Sequence, residues 1–279
     1  MKQKEDRFAG ARGRSVYCQY WEPESTPRAL VLIVHGAGEH SARYTRLAEC
    51  LTAAGYVVAA LDHPHHGRSE GRYGHLERLD EFLQTLEIFH RQVQAQYPAL
   101  PQFLLGHSMG GLISSLYLLD HQSDFVGAVL SGPAIKTGIE PPWVQRQLIR
   151  VLSVLFPAMG VMQLDAGGVS RDPREVEKYV SDPLVNHGKM SARMVSELFA
   201  GMQRIQSQAG GITLPIMILH GGADPMTSPE GSRFLYDAVS SRDKTLKIYP
   251  GLYHEIFNEP ESEEIFAEVL AWCDRHLPG

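Results

Sequence analysis

Two pentapeptides in this 279-residue sequence fit the spacing G-x-S-x-G, in which the glycines leave room around a reactive serine. One is GHSMG, centred on Ser108, and the other is GRSEG, centred on Ser69. A serine hydroxyl attacks a carbonyl carbon when a histidine accepts its proton and a carboxylate orients that histidine. The choice between the two serines therefore depends on the elements that flank them and on the acids and histidines that follow.

Ser108 has the flanking elements that a nucleophile needs. The apolar run FLL enters GHSMG as a buried strand, and GLISSLYLLD leaves it as a helix, so the serine is predicted to lie on a sharp strand-to-helix turn. GRSEG follows DHPHH and precedes RYGHL, which has no helical spacing of apolar residues. Ser69 is therefore predicted to lie in a solvated loop, and Ser108 is favoured as the nucleophile.

An acid and a histidine follow Ser108 in the order that such a turn requires. The apolar run PIMILHG ends just before Asp224, and TLKIYPG ends just before His254. Because the carboxyl ends of parallel strands share one edge of a sheet, both side chains are predicted to lie near Ser108. A turn-forming role for Asp224 and a structural role for His254 are the alternatives, but neither explains why both occupy these loops in this order.

Two backbone N–H groups are predicted to bind the oxyanion that forms during attack. One belongs to Met109, the residue after the nucleophile, and the other to Ala37 in the loop HGAGEH after the first apolar run. Each such donor stabilises a transition state by about 3 kcal/mol, so the pair matters as much as any side chain.

The apolar runs that position these residues alternate with amphipathic segments. Such alternation predicts parallel strands with helices on both faces of the sheet. From about residue 133 to 212 the pattern changes to helices without strands, which predicts a helical cap. We therefore expect an α/β core of residues 1–132 and 213–279 and a cap of residues 133–212. The predicted strands are 29–36, 57–63, 103–108, 126–132, 215–221 and 245–251.

Composition excludes several other classes of protein. The net charge of −6 is spread without a basic cluster, so nucleic acid is not expected as a partner. Three scattered cysteines and a polar N-terminus, MKQKEDRFAGARGRS, predict a cytoplasmic protein without a disulfide framework. No run of 18 apolar residues predicts a membrane span, and the residues carry no signal for an oligomeric state.

Two further segments invite a functional interpretation. DHPHH offers Asp62, His63, His65 and His66 as metal ligands, but neighbouring histidines on one short loop seldom converge on an ion, so no metal is predicted. The segment 143–162 has Arg146 and Arg150 as its formal charges. This segment could lie against a lipid surface, or it could pack on the core and line an acyl pocket, and the sequence is compatible with both.

Five blocks together resemble the monoacylglycerol lipases of the α/β-hydrolase superfamily over nearly the whole chain: HGAGEHSARY, LDHPHHGRSEG, FLLGHSMGG, SRDPREVEKYVSDPL and DKTLKIYPGLYHE. The resemblance implies an α/β-hydrolase fold, with a mostly parallel, doubly wound sheet and a helical cap inserted after the sixth strand. It implies a serine hydrolase that cleaves monoacylglycerol to glycerol and fatty acid without a cofactor. The implied triad is Ser108, Asp224 and His254, with Ala37 and Met109 in the oxyanion hole.

The resemblance also implies a polar end of the pocket for glycerol, formed by Glu39, Arg43 and Tyr179. The sequence departs from the family at two places. His65 stands where a glycine is usual, and Phe257 stands where some relatives have a second histidine.

Two rival functions use the same residues. A lysophospholipase or a broad carboxylesterase would share the triad, and Trp143, Arg146 and Arg150 could then cradle a charged head group. A small-molecule receptor on the same fold would keep the triad with negligible turnover.

Overall fold

An eight-stranded sheet forms the centre of the protein, which a computed structural model describes for residues 1–137 and 142–278. Its strand order is β1-β2-β4-β3-β5-β6-β9-β10. β1 and β2 run antiparallel to their neighbours, and the other pairs are parallel. The strands are β1 (Lys2–Ala9), β2 (Ser15–Glu22), β3 (Ala29–Val34), β4 (Tyr56–Leu61), β5 (Gln102–His107), β6 (Gly127–Ser131), β9 (Ile216–Gly221) and β10 (Lys244–Tyr249).

Helices cover both faces of this sheet because the central strands are buried on both sides. In β3, Leu30 and Leu32 face the core that α2 and α3 cover, and Val31 and Ile33 face the core that α1 and α8 cover. The α/β-hydrolase fold and the doubly wound sheet predicted above are thus confirmed. The helices are α1 (Thr45–Ala53), α2 (Asp80–Gln96), α3 (Met109–His121), α4 (Trp143–Leu155), α5 (Pro173–Ser181), α6 (Ala192–Gln208), α7 (Pro229–Ala238) and α8 (Ser262–Arg275).

The six predicted strands correspond to β3, β4, β5, β6, β9 and β10, whereas the apolar pattern did not reveal β1 and β2. β1 is an edge strand in which Phe8 is the one buried residue. With almost every side chain in water, its sequence KQKEDRFA has no hydrophobic alternation to detect. β2 is buried from Val16 to Trp21 and pairs antiparallel with β4.

Three helices, α4, α5 and α6, lie between β6 and β9, where the cap was predicted. The expectation that this segment lacks strands is wrong, because β7 (Gly160–Met162) and β8 (Met190–Ser191) form a small antiparallel sheet. These strands are too short for their residues to show a period of two. Residues 138–141 of the predicted cap lie outside the described residues. No helix of the described ranges is long and apolar enough to cross a membrane.

Candidate active site

Ser108 occupies a strained turn between β5 and α3. Its backbone has φ 53° and ψ −119°, a conformation that L residues rarely adopt, and α3 begins at the next residue. The neighbouring strand holds the turn, because Ser108 N donates to Ser131 O at 2.9 Å and Ala134 N donates to Ser108 O at 3.0 Å. The side chain is thus presented at the carboxyl edge of the parallel strands, as the sequence predicted.

The glycine after Ser108 allows the turn to pass close to the sheet. A Cβ at Gly110 would lie 2.0 Å from the carbonyl oxygen of Val34, so any side chain would push α3 away from β3. A Cβ at Gly106 would lie 2.4 Å from Ser114 Oγ and 2.6 Å from the carbonyl oxygen of Gly110. The two glycines of GHSMG are therefore required by contact distance.

Asp224 and His254 meet in a direct hydrogen bond. His254 Nδ1 lies 2.7 Å from Asp224 Oδ2, and both side chains are buried. Asp224 Oδ1 accepts from the backbone N–H groups of Met226 at 2.7 Å and Thr227 at 3.0 Å, so Oδ2 is the oxygen that contacts the histidine. With Nδ1 occupied by the acid, Nε2 is the ring nitrogen of His254 that is left for a serine.

The loops that carry the acid and the histidine are joined by backbone hydrogen bonds. Gly222 N donates to Tyr249 O at 2.7 Å, and Ala223 N donates to Leu252 O at 2.9 Å. A Cβ at Gly221 would lie 2.0 Å from the carbonyl oxygen of Tyr253, so a glycine is needed where the loops approach. Because β9 and β10 are adjacent and parallel, two residues 30 positions apart meet at one edge.

The environment moves the pKa values of the pair in opposite directions. Burial alone would lower the pKa of His254, but the charge of Asp224 and its hydrogen bond outweigh burial and raise the pKa above 6.5, with Glu255 and Glu39 adding to the rise. Burial alone would raise the pKa of Asp224, but the charge of His254 and hydrogen bonds from His220 and His254 lower it well below its usual range. Asp224 is therefore ionised at neutral pH.

Ser108 and His254 line one cavity together with Ala37 and Met109. The rest of its wall is mainly apolar and rich in methionine, whose flexible side chains adapt to the shape of an apolar ligand. It includes Met162, Leu164, Met190, Val195, Leu198, Phe199, Met202 and Met226. The cavity thus combines a few polar groups at one place with a mainly apolar wall, which suits a hydrocarbon chain.

The loop that carries Ala37 is held by a buried carboxylate. Glu39 Oε1 accepts from Gly36 N at 2.6 Å and from the Tyr44 hydroxyl at 2.7 Å. Burial and the nearby charge of Glu255 raise the pKa of Glu39 to about 7, against the opposing effect of Arg43. The structure therefore brings Glu39 into contact with the backbone of the loop.

Arg43 and Tyr179 join Glu39 in a buried polar cluster. Arg43 Nε lies 3.4 Å from Glu39 Oε2, the Arg43 guanidinium lies 4.8 Å from the centre of the Tyr179 ring, and Arg43 Nη2 pairs with Glu255 Oε2. The Tyr179 hydroxyl would lie 3.4 Å from a Cβ at Gly38, so the cluster adjoins the Ala37 loop. The three predicted glycerol-binding residues are thus neighbours, and Tyr179 also lines a second, more polar pocket with Gln163, Asp165, Asn186 and His187.

Ser69 has hydrogen bonds to the backbone of neighbouring segments and does not line the cavity of Ser108 and His254. Its Oγ donates to Asp62 O at 2.7 Å and accepts from Tyr17 N at 2.8 Å, and the residue is buried. The expectation of a solvated loop is wrong for this serine, although Arg68 and Glu70 beside it contact solvent. The loop packs against β2, which the sequence pattern did not reveal.

Asp62, His65 and His66 of DHPHH form local hydrogen bonds, whereas both ring nitrogens of His63 are buried without a hydrogen-bond partner in the described part of the chain. Asp62 Oδ1 accepts from Ser41 N at 2.8 Å, and its Oδ2 accepts from Arg68 N at 2.8 Å. His66 Nδ1 lies 3.0 Å from Pro64 O, and His65 Nδ1 accepts from Arg72 N at 3.0 Å. Within residues 1–137 and 142–278, no group of three or more potential ligands is arranged to hold a metal ion.

Two residues at the site were not singled out from the sequence. Glu255 pairs with Arg43, and its position next to His254 was the available signal. His220 lies 3.0 Å from Asp224 Oδ2 through its Nε2 atom. It is the penultimate residue of β9, where the apolar run gave no hint that a histidine would face the acid.

Comparisons with known proteins agree with this geometry. A family model described as serine aminopeptidase, S33, matches residues 25–261. A monoacylglycerol lipase of Mycolicibacterium smegmatis is 41% identical over 275 residues, covering 98% of this chain and 98% of that protein. A monoglyceride lipase of Homo sapiens is 36% identical over 271 residues, covering 96% and 89% respectively. The crystal structure of Paleococcus ferrophilus monoacylglycerol lipase matches with a TM-score of 0.82 at 34% identity, covering 99% of this chain and 100% of that one.

The sheet order, the strained turn at Ser108 and these matches define a serine hydrolase of the α/β-hydrolase fold. Within that class, the chain belongs to the monoacylglycerol lipase family. The resemblance inferred from five sequence blocks is thereby confirmed.

Proposed function

We propose that this protein hydrolyses the ester bond of monoacylglycerols through an acyl-enzyme on Ser108, with His254 as general base and Asp224 as its orienting acid. The observation that carries the proposal is the 2.7 Å hydrogen bond between His254 and Asp224, beside a cavity that Ser108 also lines. The monoacylglycerol lipases among the relatives support the ester as the bond that is cleaved.

In the first half of the reaction, Ser108 Oγ attacks the ester carbonyl carbon while His254 Nε2 takes its proton. The carbonyl oxygen becomes an oxyanion, which the N–H groups of Ala37 and Met109 stabilise. Met109 is the first residue of α3, so the positive end of the helix dipole adds to that stabilisation. The ester C–O bond then breaks, and glycerol leaves with the proton that His254 returns.

In the second half, water attacks the acyl carbon while His254 takes a proton from it. The second oxyanion collapses, the bond to Ser108 Oγ breaks, and the proton returns to the serine. Free fatty acid is released. Asp224 keeps the Nδ1–H tautomer of His254 in both halves.

We infer that glycerol lies at the polar end formed by Glu39, Arg43 and Tyr179, and that the acyl chain lies along the methionine-rich wall. The proximity of the cluster to the Ala37 loop supports this placement, because the glycerol oxygen must leave from the carbon that the oxyanion hole holds. The acyl chain then runs toward residues 133–212, which we propose to act as the cap.

We further propose that α4 brings the cap into transient contact with a lipid surface. Val144, Leu148, Val151 and Leu155 form one exposed apolar stripe, and Trp143 beside them is 71% exposed. Residues 142–164 contain two arginines and no acidic residue, so the helix would meet anionic lipid without repulsion. The cysteines of the described chain are all free, which supports a cytoplasmic protein that reaches the membrane from that side.

The assignment of Ser108 as the nucleophile is tested by comparing the turnover of a monoacylglycerol by the wild type and by two variants. Ser108→Ala should lower kcat by about four orders of magnitude or more, and Ser69→Ala should keep most of the wild-type value. The reverse result would discard Ser108 as the nucleophile.

Two further experiments separate this function from its rivals. An organophosphate should label Ser108 stoichiometrically. Labelling without steady hydrolysis of a chromogenic ester would favour a small-molecule receptor on the same fold. Faster cleavage of lysophosphatidylcholine than of a monoacylglycerol of equal chain length would favour the lysophospholipase.

A further inference from the structure

A second buried histidine lies against the acid of the triad. His220 Nε2 is 3.0 Å from Asp224 Oδ2, and both side chains are fully buried. On the other side of the ring, His220 Nδ1 lies 2.7 Å from Ser232 Oγ, near the start of α7. Asp224 therefore lies between two imidazoles, one from the loop after β10 and one from β9 itself.

The proton positions follow from the chemistry of the acid. Asp224 is ionised and has no proton to donate, and Nε2 also lies 3.3 Å from the carbonyl oxygen of Thr227, so the hydrogen that faces these two acceptors belongs to Nε2. In the neutral form of the ring the other nitrogen is an acceptor, and the Ser232 hydroxyl then donates to it. Ser232 thus selects the tautomer of His220 in the way that Asp224 selects the tautomer of His254.

The two oxygens of Asp224 are held by different means. Oδ1 is fixed by two backbone N–H groups, whereas the partners of Oδ2 among the described residues are side chains: His254 at 2.7 Å, the Thr227 hydroxyl at 2.9 Å and His220 at 3.0 Å. The direction in which Oδ2 receives the Nδ1–H of His254 consequently depends on its other partners. Of these, His220 is the one that lies within a strand.

We propose that His220 is a positioning residue of the triad, whose Nε2–H holds Asp224 Oδ2 in the orientation that receives His254. The inference rests on the proposed function and adds a residue to it. His220 does not contact the substrate cavity and acts through Asp224.

The N–H group of His220 also affects the basicity of His254 through the charge of Asp224. An N–H donor takes up part of the negative charge of a carboxylate, so removing it strengthens the attraction between Asp224 and the imidazolium of His254. The other groups that act on His254 stay in place: the His107 ring at 4.7 Å, and Glu255 and Glu39. Loss of the donor should therefore raise the pKa of His254.

The experiment compares His220→Leu with His220→Gln. In the leucine variant, kcat on a soluble ester should fall about tenfold with little change in KM, and the acid limb of the kcat/KM profile should move upward by about half a pH unit. In the glutamine variant the side-chain amide can donate to Oδ2 again. Most of the wild-type kcat should therefore return, and the acid limb of the kcat/KM profile should lie at its wild-type pH. A leucine variant whose acid limb coincides with that of the wild type overturns the proposal, whatever its kcat.

His90→Leu is the matched control. His90 is also a buried histidine with a hydroxyl partner, Tyr117 at 2.9 Å, but it lies on α2 outside the site. Its loss should lower the melting temperature and leave the acid limb unchanged.

A measurement on the wild-type protein keeps the proposal testable if His220→Leu does not fold. The 15N NMR signals of the His220 ring should show the Nε2–H tautomer at neutral pH, and the Nδ1–H tautomer would overturn the proposal. This measurement needs no turnover. An inactive wild type would therefore count against the proposed function alone.

Discussion

Glu39 Oε1 lies 2.6 Å from the amide nitrogen of Gly36, so a buried carboxylate holds the residue just before Ala37. This relationship gives Glu39 a task besides the glycerol binding that the family resemblance implies. The Ala37 N–H can serve an oxyanion only if the loop is fixed before the substrate arrives. Tyr44 and Arg43 hold the carboxylate from the other side.

A substitution can separate the two tasks of Glu39. If it fixes the loop, Glu39→Ala should lower kcat about tenfold on a soluble ester that has no glycerol group, whereas Glu39→Gln, which keeps an oxygen for Gly36 N–H, should lose less. Steady-state kinetics on that ester and on a monoacylglycerol measure this. A rise in KM for the monoacylglycerol, with unchanged kcat on the soluble ester, would assign Glu39 to glycerol alone. Glu81→Gln, at a buried carboxylate that pairs with Arg14, is the control.

The raised pKa of His254 sets the pH dependence of activity. The base must be neutral, so kcat/KM should rise with pH through an acid limb whose midpoint lies above 6.5. The pH dependence of stability has the opposite sign. The stabilisation that protonated His254 contributes is complete below about pH 6.5, and it is lost as the pH rises through the pKa of His254 in the folded protein. A kcat/KM profile and melting temperatures over the same pH range test both statements. A midpoint below 6.5 would contradict the arrangement around Asp224.

Most of the core could be predicted from sequence because its strands are continuous apolar runs. β3, β4 and β5 are buried along their whole length, and the glycines at their ends mark the turns. β1 could not be found, since an exposed edge strand has no buried face. β2 was missed although VYCQYW is rich in residues that favour strands, because its burial depends on α1, α2 and the GRSEG loop that pack around it.

The chain order of the site residues was predictable, but their supporting contacts were not. The strand ends predict, before any coordinate is known, that Ser108, Asp224 and His254 lie in loops at one edge of the sheet. The hydrogen bond that Gly36 N donates to Glu39 and the contact between His220 and Asp224 depend on side-chain directions that no spacing encodes. Such contacts become visible only once the backbone fixes which side chains face each other.

Ser69→Ala should cost stability without cost to the chemistry. The hydroxyl joins the backbone of Tyr17 in β2 to the backbone of Asp62 after β4, so its loss leaves a buried N–H without its acceptor. We expect the free energy of unfolding to fall by about 1–3 kcal/mol in urea denaturation, with kcat near the wild-type value. Ser25→Ala, at an exposed serine, should change neither quantity. A variant as stable as the wild type would refute this role.

The exposed stripe of α4 predicts binding to lipid. The double variant Leu148→Ser and Val151→Ser removes two side chains that are 55% and 53% exposed, and it should weaken sedimentation with anionic phosphatidylglycerol vesicles about tenfold or more. Hydrolysis of a soluble short-chain ester should be unchanged. Val180→Ser, at an exposed apolar residue of α5, is the matched control. Vesicle binding equal to that of the wild type would exclude this face as the contact.

His65 is the place where a usual glycine of the family is missing, and its backbone still takes the left-handed conformation that glycine would adopt, with φ 69°. The ring compensates by accepting from Arg72 N at 3.0 Å and by lying 3.3 Å from Glu81 Oε1. His65→Ala and His65→Gly both lose these contacts, so both should be less stable than the wild type.

The two variants of His65 should nevertheless differ, because only alanine keeps the steric cost of the left-handed conformation. We expect His65→Gly to be more stable than His65→Ala by about 1 kcal/mol in denaturant unfolding. The same pair at Ser207, an exposed position near the end of helix α6, should show the usual order, with the alanine variant the more stable. If alanine were the better residue at position 65 as well, the loop would not impose a positive φ there, and the ring contacts alone would explain the histidine.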